Sequence, residues 1–342
     1  MNTGITLSFV IPAYNMEQYL TRCVTSILST EKTDDIEIII VDDGSKDGTA
    51  ALADSLQREH PNIKAVHQEN KGHGGAVNNG IAHATGEYVK IVDADDWVDK
   101  DAYKKVIEFL RKQVTSQNPI DLFITNYMYD SPERHTKHEM HMSSFIPKNT
   151  LLTWDDISKP KLSQYLIMHT LIYRTEILRQ SKLQLPEHTF YVDFIYSYQP
   201  LPWVKTMYYM DIPFYHYFIG REGQSVETKT MIKKVNQLRL VNECMVDATP
   251  KKDSVSRGLY QYMTHYLALQ TSVTSAFLIL SHKKENYAIK QEVWENIRKK
   301  SPTLYKDISK SAFGRIMKIP GLLGRSIVRS IYWIAKYTVG FN

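Results

Sequence analysis

The first hundred residues repeat one pattern four times: a short apolar run, a polar loop and a segment with helical periodicity. The apolar runs are residues 7–11, 36–41, 63–67 and 88–92. Near-continuous apolar strands that alternate with helices are typical of a parallel sheet covered on both faces. The repeat therefore predicts an α/β fold with a Rossmann-like, mostly parallel sheet.

A polar loop follows each of these strands. The loops are residues 12–15, 42–45, 70–75 and 93–96. In a parallel sheet the carboxyl ends of the strands meet at one edge, where ligands bind. Because four unrelated surface turns have no reason to share that edge, the sequence predicts one binding site there.

The loop after the fourth strand carries three carboxylates, Asp93, Asp95 and Asp96. Like charges this close repel, and a divalent cation between them relieves the repulsion. Hard oxygen ligands in a short loop suit Mg²⁺ or Mn²⁺, which keep open positions for substrate phosphates. A lone Asp-x-Asp is more often an acidic turn before a helix, but its place at the shared edge favours a metal site.

Composition indicates an ordinary globular protein. The chain has 342 residues, 43% hydrophobic and 23% charged, with a formal net charge of +5. Two cysteines imply no disulfide framework, which fits a reducing compartment. A basic stretch before an apolar N-terminal core and a run of ~20 apolar residues are both missing. We therefore expect a cytoplasmic protein.

The second half gives fewer signals. Residues 121–128 predict a strand, residues 162–178 a mostly helical segment, and the chain beyond residue 231 helices alone. Residues 130–148 contain His135, His138 and His141, but their prolines favour a mobile loop over a metal site. The aromatic stretch at 190–218 could form a sugar platform, although most of its rings are expected in the core.

In order and spacing, the motifs of the first 100 residues resemble glycosyltransferase family 2, inverting enzymes with a GT-A fold that use nucleotide sugars. The resemblance depends on residues 9–15, 41–49, the glycine loop with Asn79-Gly80, and Gly86-Glu87-Tyr88 before Asp93. It implies a GT-A catalytic domain at 1–228 and a helical C-terminal region at 229–342. Within the catalytic domain, residues 1–120 would bind the nucleotide-sugar and 121–228 the acceptor.

The resemblance also assigns roles in the nucleotide pocket. Asp42 or Asp43 would accept the uracil N3–H, because the imide can only donate there. Asp93, with Ala94, would lie near the ribose or sugar and Asp95 would bind the metal, while Asp96 and Trp97 would shape the loop. Where many relatives have Arg, this chain has Asn78, so phosphate contact falls to Lys71 or to backbone N–H groups near Gly72 and Asn79. One wall of the pocket would be formed by Pro12, Ala13, Tyr14 and Asn15.

Inversion in one displacement requires a general base for the acceptor hydroxyl. The family commonly supplies the Asp of a Glu-Asp pair; here Val192 replaces the Glu, and Asp193 is the candidate base with Glu187 in reserve. The alternative for Asp193 is a carboxylate favoured by a helix N-terminus. The resemblance further gives Arg221 a phosphate contact and His216 a part in metal binding, with purely structural roles as the alternative.

The C-terminal tail is basic and has no acidic residue after Asp307. On a helix from Leu322, the cations Arg325, Arg329 and Lys336 fall on one side, opposite Leu323, Ile327, Ile331 and Ile334. Such a helix predicts contact with an anionic membrane surface and a lipid-linked acceptor at the inner face. The alternative is packing on the catalytic domain with a solvated basic face. Nucleic acid is not expected, because no nucleic-acid motif accompanies the basic stripe.

The sequence thus predicts a metal-dependent inverting glycosyltransferase that moves a sugar from a UDP-sugar to a glycan in cell-surface polysaccharide synthesis. Mn²⁺ or Mg²⁺ would be its cofactor. Two alternatives are a nucleotidyltransferase, which also joins an α/β sheet to metal-binding carboxylates, and a non-catalytic, membrane-associated scaffold that keeps a nucleotide pocket.

Overall fold

The computed structural model describes residues 4–29, 34–131, 136–162, 164–220 and 227–339, with backbone alone for 335–339. These residues group into two compact units. Unit 1 runs to residue 157 and continues over 166–220, and unit 2 contains 158–165 and the chain from 227. The predicted domain limit at residue 228 stays a prediction.

Unit 1 is built on one mixed, mostly parallel sheet. Its strands lie in the order β3-β2-β1-β4-β9-β6-β10-β5, with β7 paired to β6 and β8 to β10. Strands β1 to β4 are parallel neighbours, whereas β9 runs antiparallel between β4 and β6. The predicted α/β class is confirmed. The strands are β1 Leu7–Ala13, β2 Ile36–Asp42, β3 Ile63–His67, β4 Tyr88–Ile91, β5 Trp97–Val98, β6 Leu122–Ser131, β7 Thr136–Met140, β8 Leu151–Leu152, β9 Leu171–Arg174 and β10 Met207–Phe218.

Six α-helices connect these strands: α1 Leu20–Leu28, α2 Thr49–Glu59, α3 Gly72–His83, α4 Lys100–Val114, α5 Thr175–Gln180 and α6 Asp193–Tyr198. The apolar face of α1 places Leu20, Cys23, Val24 and Ile27 in the core, as their spacing predicts. Asp99 caps α4 by accepting the N–H groups of Asp101 and Ala102, which fixes the start of that helix.

Three local predictions are wrong in whole or in part. Residues 162–178 are not mostly helical: a 3-10 turn at Met168–Thr170 leads into strand β9. β9 lies between two other strands and its residues are almost all buried. A short, continuously apolar run of this kind lacks the alternation of polar and apolar residues that would distinguish a strand from a helix. Within the tract predicted as a loop, residues 136–140 form β7 against β6, whereas residues 141–148 are irregular as predicted; His135 lies outside the described residues. Helix α3 begins at Gly72, within the predicted glycine loop.

Unit 2 is helical in the part that the structure describes, in agreement with the prediction. Its α-helices are α7 Thr228–Lys233, α8 Val235–Ala248, α9 Arg257–Leu280, α10 Lys284–Lys300, α11 Pro302–Lys310, α12 Ala312–Met317 and α13 Gly321–Val339. The long helix α9 is buried along most of its length. Within the described ranges, no helix is both long and apolar enough to cross a bilayer.

Helix α13 has the two predicted faces, but the basic face is the one that packs. The Arg325 guanidinium lies 4.6 Å from the ring centroid of Tyr287, and Nη2 of Arg329 donates to the Tyr287 hydroxyl at 3.0 Å. Arg325 and Arg329 are half-buried and share one tyrosine, which offers both a ring face and a hydroxyl acceptor. Membrane contact and a solvated basic face both stay predictions, and the side chain of Lys336 lies outside the described residues. The apolar side chains Leu322, Leu323, Ile331, Trp333 and Ile334 are exposed.

Candidate active site

The first two polar loops are held together at the carboxyl edge of the sheet. Pro12 and Ala13 end β1 and pair with Val41 and Asp42 of β2. Asn15, with φ of 55°, donates its N–H to Oγ of Ser45 at 3.0 Å and accepts the N–H of Lys46 at 2.8 Å. Tyr14 remains 41% exposed. The structure thus brings residues 12–15 beside residues 42–46, with Tyr14 open to a ligand.

The carboxylates of Asp42 and Asp43 are buried and organise the neighbouring loops. Asp42 accepts the N–H of Ser45 at 3.1 Å, and its Oδ2 lies 3.2 Å from Nδ1 of His67. Oδ1 of Asp43 accepts from Nε2 of Gln68 at 2.6 Å and from the N–H of Lys71 at 2.7 Å. Their role towards uracil stays a prediction.

The start of α3 is fixed by close backbone contact. Gly72 has φ of +73°, and a Cβ there would lie 3.0 Å from the backbone of His188, so glycine suits this position best. Nζ of Lys71 lies 3.3 Å from Oε1 of Glu187, the reserve base. Asn79 donates to Oε1 of Gln68 at 2.6 Å, which ties α3 to the loop after β3.

The acidic loop at residues 93–96 contacts α3 through His73, for which the sequence predicted no role. Nε2 of His73 lies 2.8 Å from Oδ1 of Asp93. Burial raises the pKa of Asp93, but His73 and His169 together outweigh burial and hold that pKa well below its usual range. Burial likewise lowers the pKa of His73, but Asp93, with Asp193 and Asp95, outweighs burial, so the net shift of that pKa is upward. The two side chains form a charged pair.

Asp96 anchors the loop to β10. Its Oδ2 accepts the hydroxyl of Tyr215 at 2.5 Å and its Oδ1 accepts the N–H of Phe218 at 2.8 Å. The same tyrosine hydroxyl accepts the N–H of Asp93 at 3.1 Å. Burial, followed by the charges of Asp95 and Asp93, raises the pKa of Asp96 well above its usual value. This geometry fits the loop-shaping role expected of Asp96.

Arg22 of α1 holds the middle of the acidic loop. Its Nη2 donates to the carbonyl of Asp95 at 2.6 Å, and its guanidinium lies 4.1 Å from the ring centroid of Trp97. Asp95 is 8% exposed and Ala94 is 1% exposed. A cation that is fixed by an aromatic ring and a carbonyl keeps the loop backbone in place.

Three side chains here fit a divalent cation. One ligand atom each from Asp93, Asp96 and His169 lies within 4.8 Å of the others. Nε2 of His169 is 3.7 Å from Oδ2 of Asp93 and 3.8 Å from Oδ2 of Asp96. Neither buried ring nitrogen of His169 has a hydrogen-bond partner in the described structure. An imidazole left without partners beside two carboxylates is the arrangement that a metal ion completes.

His216 lies in a different setting from the one the sequence suggested. Its Nδ1 is 3.0 Å from Oδ2 of Asp130, and its Nε2 is 3.7 Å from Oδ2 of Asp99. Its ring stacks on Trp97 with centroids 5.2 Å apart. The proposed pairing of His216 with Asp95 stays a prediction, and the geometry offers Asp93, Asp96 and His169 as another ligand set.

Lys90 positions the turn that carries His169. Its side chain is fully buried, and its Nζ donates to the carbonyls of Met168 at 3.3 Å, His169 at 2.5 Å and Leu171 at 3.3 Å. Burial lowers the pKa of Lys90 to about 7, although Asp93 and Asp96 act in the opposite direction. A buried cation thus fixes a backbone turn beside the acidic loop.

Asp193, the candidate base, is the first residue of α6. Burial raises its pKa, His169 and His73 lower it, and Asp93 raises it. These influences show that Asp193 shares an electrostatic environment with the acidic loop. A raised pKa makes a carboxylate a better proton acceptor near neutral pH.

Two side chains were predicted to contact phosphate, Lys71 and Arg221. Arg221 lies outside the described residues.

Comparisons with known proteins agree with the fold and the motifs. The family model described as "Glycosyl transferase family 2" matches residues 8–180. EpsH of Bacillus subtilis (strain 168) is 29% identical over 225 residues, which is 62% of this chain and 60% of EpsH. The match therefore spans less than two thirds of that relative.

Two solved structures share the fold. Staphylococcus aureus TarS 1-349 in complex with UDP has a TM-score of 0.63 at 17% identity, covering 98% of this chain and 92% of that chain. The mannosyltransferase PcManGT from Pyrobaculum calidifontis, in complex with GDP-Man and Mn²⁺, has a TM-score of 0.52 at 14% identity. This match covers 94% of this chain and 86% of the PcManGT chain. The predicted GT-A fold with a helical C-terminal region is confirmed.

Proposed function

The chain belongs to glycosyl transferase family 2, and from that premise we propose that it is a metal-dependent inverting glycosyltransferase that moves a sugar from a UDP-sugar to a glycan acceptor. The observation that carries the proposal is the cluster of His73, Asp93, Asp96 and His169 beside the acidic loop, whose charges also act on Asp193. It joins a candidate base, a candidate cation site and the sheet edge where nucleotides bind.

Asp193 would take the proton from the acceptor hydroxyl as that oxygen attacks the anomeric carbon, and the diphosphate would leave from the opposite face. One displacement inverts the anomeric configuration. Burial raises the pKa of Asp193, and a raised pKa strengthens a carboxylate as a proton acceptor.

The nucleotide would lie against residues 12–15 and 42–43. Two observations support UDP as the nucleotide of the donor. TarS has been solved with UDP and with UDP-GlcNAc, and this chain offers buried carboxylates at Asp42 and Asp43. A carboxylate suits uracil because the ring N3–H is a donor only. Tyr14 offers an exposed ring for the base.

Asp93, Asp96 and His169 would hold a Mn²⁺ or Mg²⁺ ion, and Asp95 remains a further candidate ligand. When bound, the ion would supply positive charge that stabilises the leaving diphosphate. Mn²⁺ is present with GDP-Man in PcManGT. His73 would keep Asp93 ionised and oriented.

For the acceptor we propose a glycan on a lipid carrier at the cytoplasmic face of the membrane, in cell-surface polysaccharide synthesis. The exposed apolar side chains of α13 support a membrane contact, since an apolar helix face can lie within the headgroup boundary of a bilayer.

One experiment tests the reaction and separates it from both alternatives. UDP-sugars are first screened with Mn²⁺ for thermal stabilisation, since a ligand of the native state raises the melting temperature. They are then incubated with a lipid-linked glycan, and the release of UDP or pyrophosphate is measured. We expect UDP release and a metal requirement. Release of pyrophosphate would favour a nucleotidyltransferase. UDP binding without turnover would favour the scaffold.

A further inference from the structure

A cavity of about 300 Å³ lies among the helices of unit 2. Residues of α9, α10, α11, α12 and the first half of α13 line it, together with the turn at 318–320. None of these residues belongs to the candidate active site. The cavity has both polar and aromatic walls, so its chemistry can be derived from the side chains that face it.

Three cations line the cavity: Lys290, Lys318 and Arg325. Nζ of Lys290 donates to the carbonyl of Met317. Burial lowers the pKa of Lys290, and the charge of Arg325 lowers it further. The two cations therefore repel each other within a partly buried space. An anion between them would remove that repulsion.

Aromatic rings hold two of the cations in place without neutralising them. The Arg325 guanidinium lies 4.6 Å from the ring centroid of Tyr287, and Nζ of Lys318 lies 4.8 Å from that of Tyr305. Such contacts orient a cation but leave its charge available.

Carboxylates in the lining do not balance this charge. Among the described residues that line the cavity, Glu295 is the one acid. Its Oε1 accepts from Nη2 of Arg298 at 3.0 Å, and its Oε2 lies 2.9 Å from Nε of Arg298. Both oxygens are thus engaged outside the cavity. The sequence adds no acid after Asp307.

We propose that this cavity binds the phosphate group of an anionic membrane phospholipid. Arg and Lys side chains pair with phosphate oxygens through charge-assisted hydrogen bonds. The source of the phosphate follows from the surface of α13. Leu322 is 75% exposed and Leu323 is 69% exposed. Leu322 precedes Arg325 by three residues, so the two side chains are neighbours on the helix.

A free phosphate ion would leave the exposed Leu322 beside the cavity without a role, whereas a lipid provides an acyl chain for it and a headgroup for the cations. The inference depends on the proposed function only for the membrane as partner. It adds the chemistry by which unit 2 would recognise that membrane, and it requires no particular donor or acceptor.

The test measures binding of the full chain to vesicles of phosphatidylglycerol and phosphatidylcholine in equal parts, with pure phosphatidylcholine vesicles for comparison. Arg325→Gln should weaken binding to the anionic vesicles by at least about fivefold, the equivalent of roughly 1 kcal/mol per cation at such a surface. Leu322→Ser should weaken it as well. Lys306→Gln, an equal charge change at an exposed position of α11 that does not line the cavity, should change binding by less than about twofold.

Equal losses for Arg325→Gln and Lys306→Gln would overturn the proposal in favour of general surface charge. Inorganic phosphate is tested separately by thermal shift: stabilisation of the wild type by phosphate without vesicle binding would overturn the lipid source. Failure to bind either probe would overturn the site itself. UDP binding is measured on the same proteins. Loss of UDP binding would count against the proposed reaction, whereas loss of vesicle binding would count against the lipid site, so the two failures are distinguishable. Because UDP binds in unit 1, the fold of unit 2 in Arg325→Gln is checked separately by the helical signal in far-ultraviolet circular dichroism.

Discussion

Nε2 of His73 and Oδ1 of Asp93 lie 2.8 Å apart, so a charged pair joins the first turn of α3 to the acidic loop after β4. The pair depends on the packing of α3 against the sheet, because that packing sets where His73 is presented. It also keeps the half-buried Asp93 ionised beside the two buried aspartates, Asp95 and Asp96.

Replacement of Asp193 by Asn should lower the transfer rate by about 10²- to 10⁴-fold, the usual contribution of a general base. The amide keeps the shape of the side chain but cannot accept the proton. UDP affinity should change by less than about twofold, since the base acts on the acceptor. Product formation and UDP binding by titration calorimetry measure the two effects.

Glu187→Gln is the matched control for that substitution, because Glu187 is the reserve base and pairs with Lys71 at 3.3 Å. We expect a loss of less than about tenfold, from the weakened ion pair alone. If Glu187→Gln removes activity and Asp193→Asn does not, the assignment of the base is reversed.

Two candidate sets of metal ligands can be separated by single substitutions. His169→Ala should weaken Mn²⁺ binding by about tenfold or more, because it removes a nitrogen beside Asp93 and Asp96. His216→Ala should have a much smaller effect, since its nitrogens face Asp130 and Asp99. Mn²⁺ titration in the presence of UDP measures both. The opposite order would favour the pair Asp95 and His216.

The sequence predicts the site best where an apolar strand precedes a polar loop. Asp93 and Asp95 follow β4 directly, and the edge on which they lie follows from parallel topology. His169 could not be found in this way. It lies on a 3-10 turn between a loop and the four-residue strand β9, and no local pattern distinguishes such a strand from a helix. Its link to the site is the buried Lys90, whose hydrogen-bond acceptors are three carbonyls distant in sequence.

The tail shows a different limit. Periodicity separates Arg325 and Arg329 from Leu323 and Ile334, but it does not determine which face packs. Tyr287 decides this by offering its ring to Arg325 and its hydroxyl to Arg329. This contact joins α10 to α13, so it cannot be predicted from the periodicity of α13 alone.

The buried Lys90 should make stability rise with pH above neutrality. Burial lowers its pKa to about 7 in the folded chain, against about 10.4 for an unperturbed lysine. Between these values the unfolded chain binds a proton that the folded chain has released, so the free energy of unfolding increases with pH. From pH 7 to 9 the increase should be about 2 kcal/mol.

Lys90→Met removes this contribution, and groups common to both proteins cancel in the difference between the two pH profiles. Urea unfolding at several pH values measures it. An equal pH dependence for the wild type and the variant would show that Lys90 keeps an ordinary pKa in the fold.

The packing that presents His73 can be tested at Gly80 of α3. A Cβ at this position would lie 2.1 Å from Cγ1 of Val10 in β1. Gly80→Ala should therefore destabilise the protein by about 1–3 kcal/mol through overpacking, although alanine is favoured in a helix by roughly 1 kcal/mol. Val10→Ala removes the obstructing methyl groups. In that background most of the steric cost is removed, since the Cβ of residue 10 lies 3.2 Å away, and the helical preference remains, so Gly80→Ala should be neutral or stabilising by up to about 1 kcal/mol. Urea unfolding of the four proteins gives the coupling energy between the two positions, and simple additivity would contradict the proposed contact.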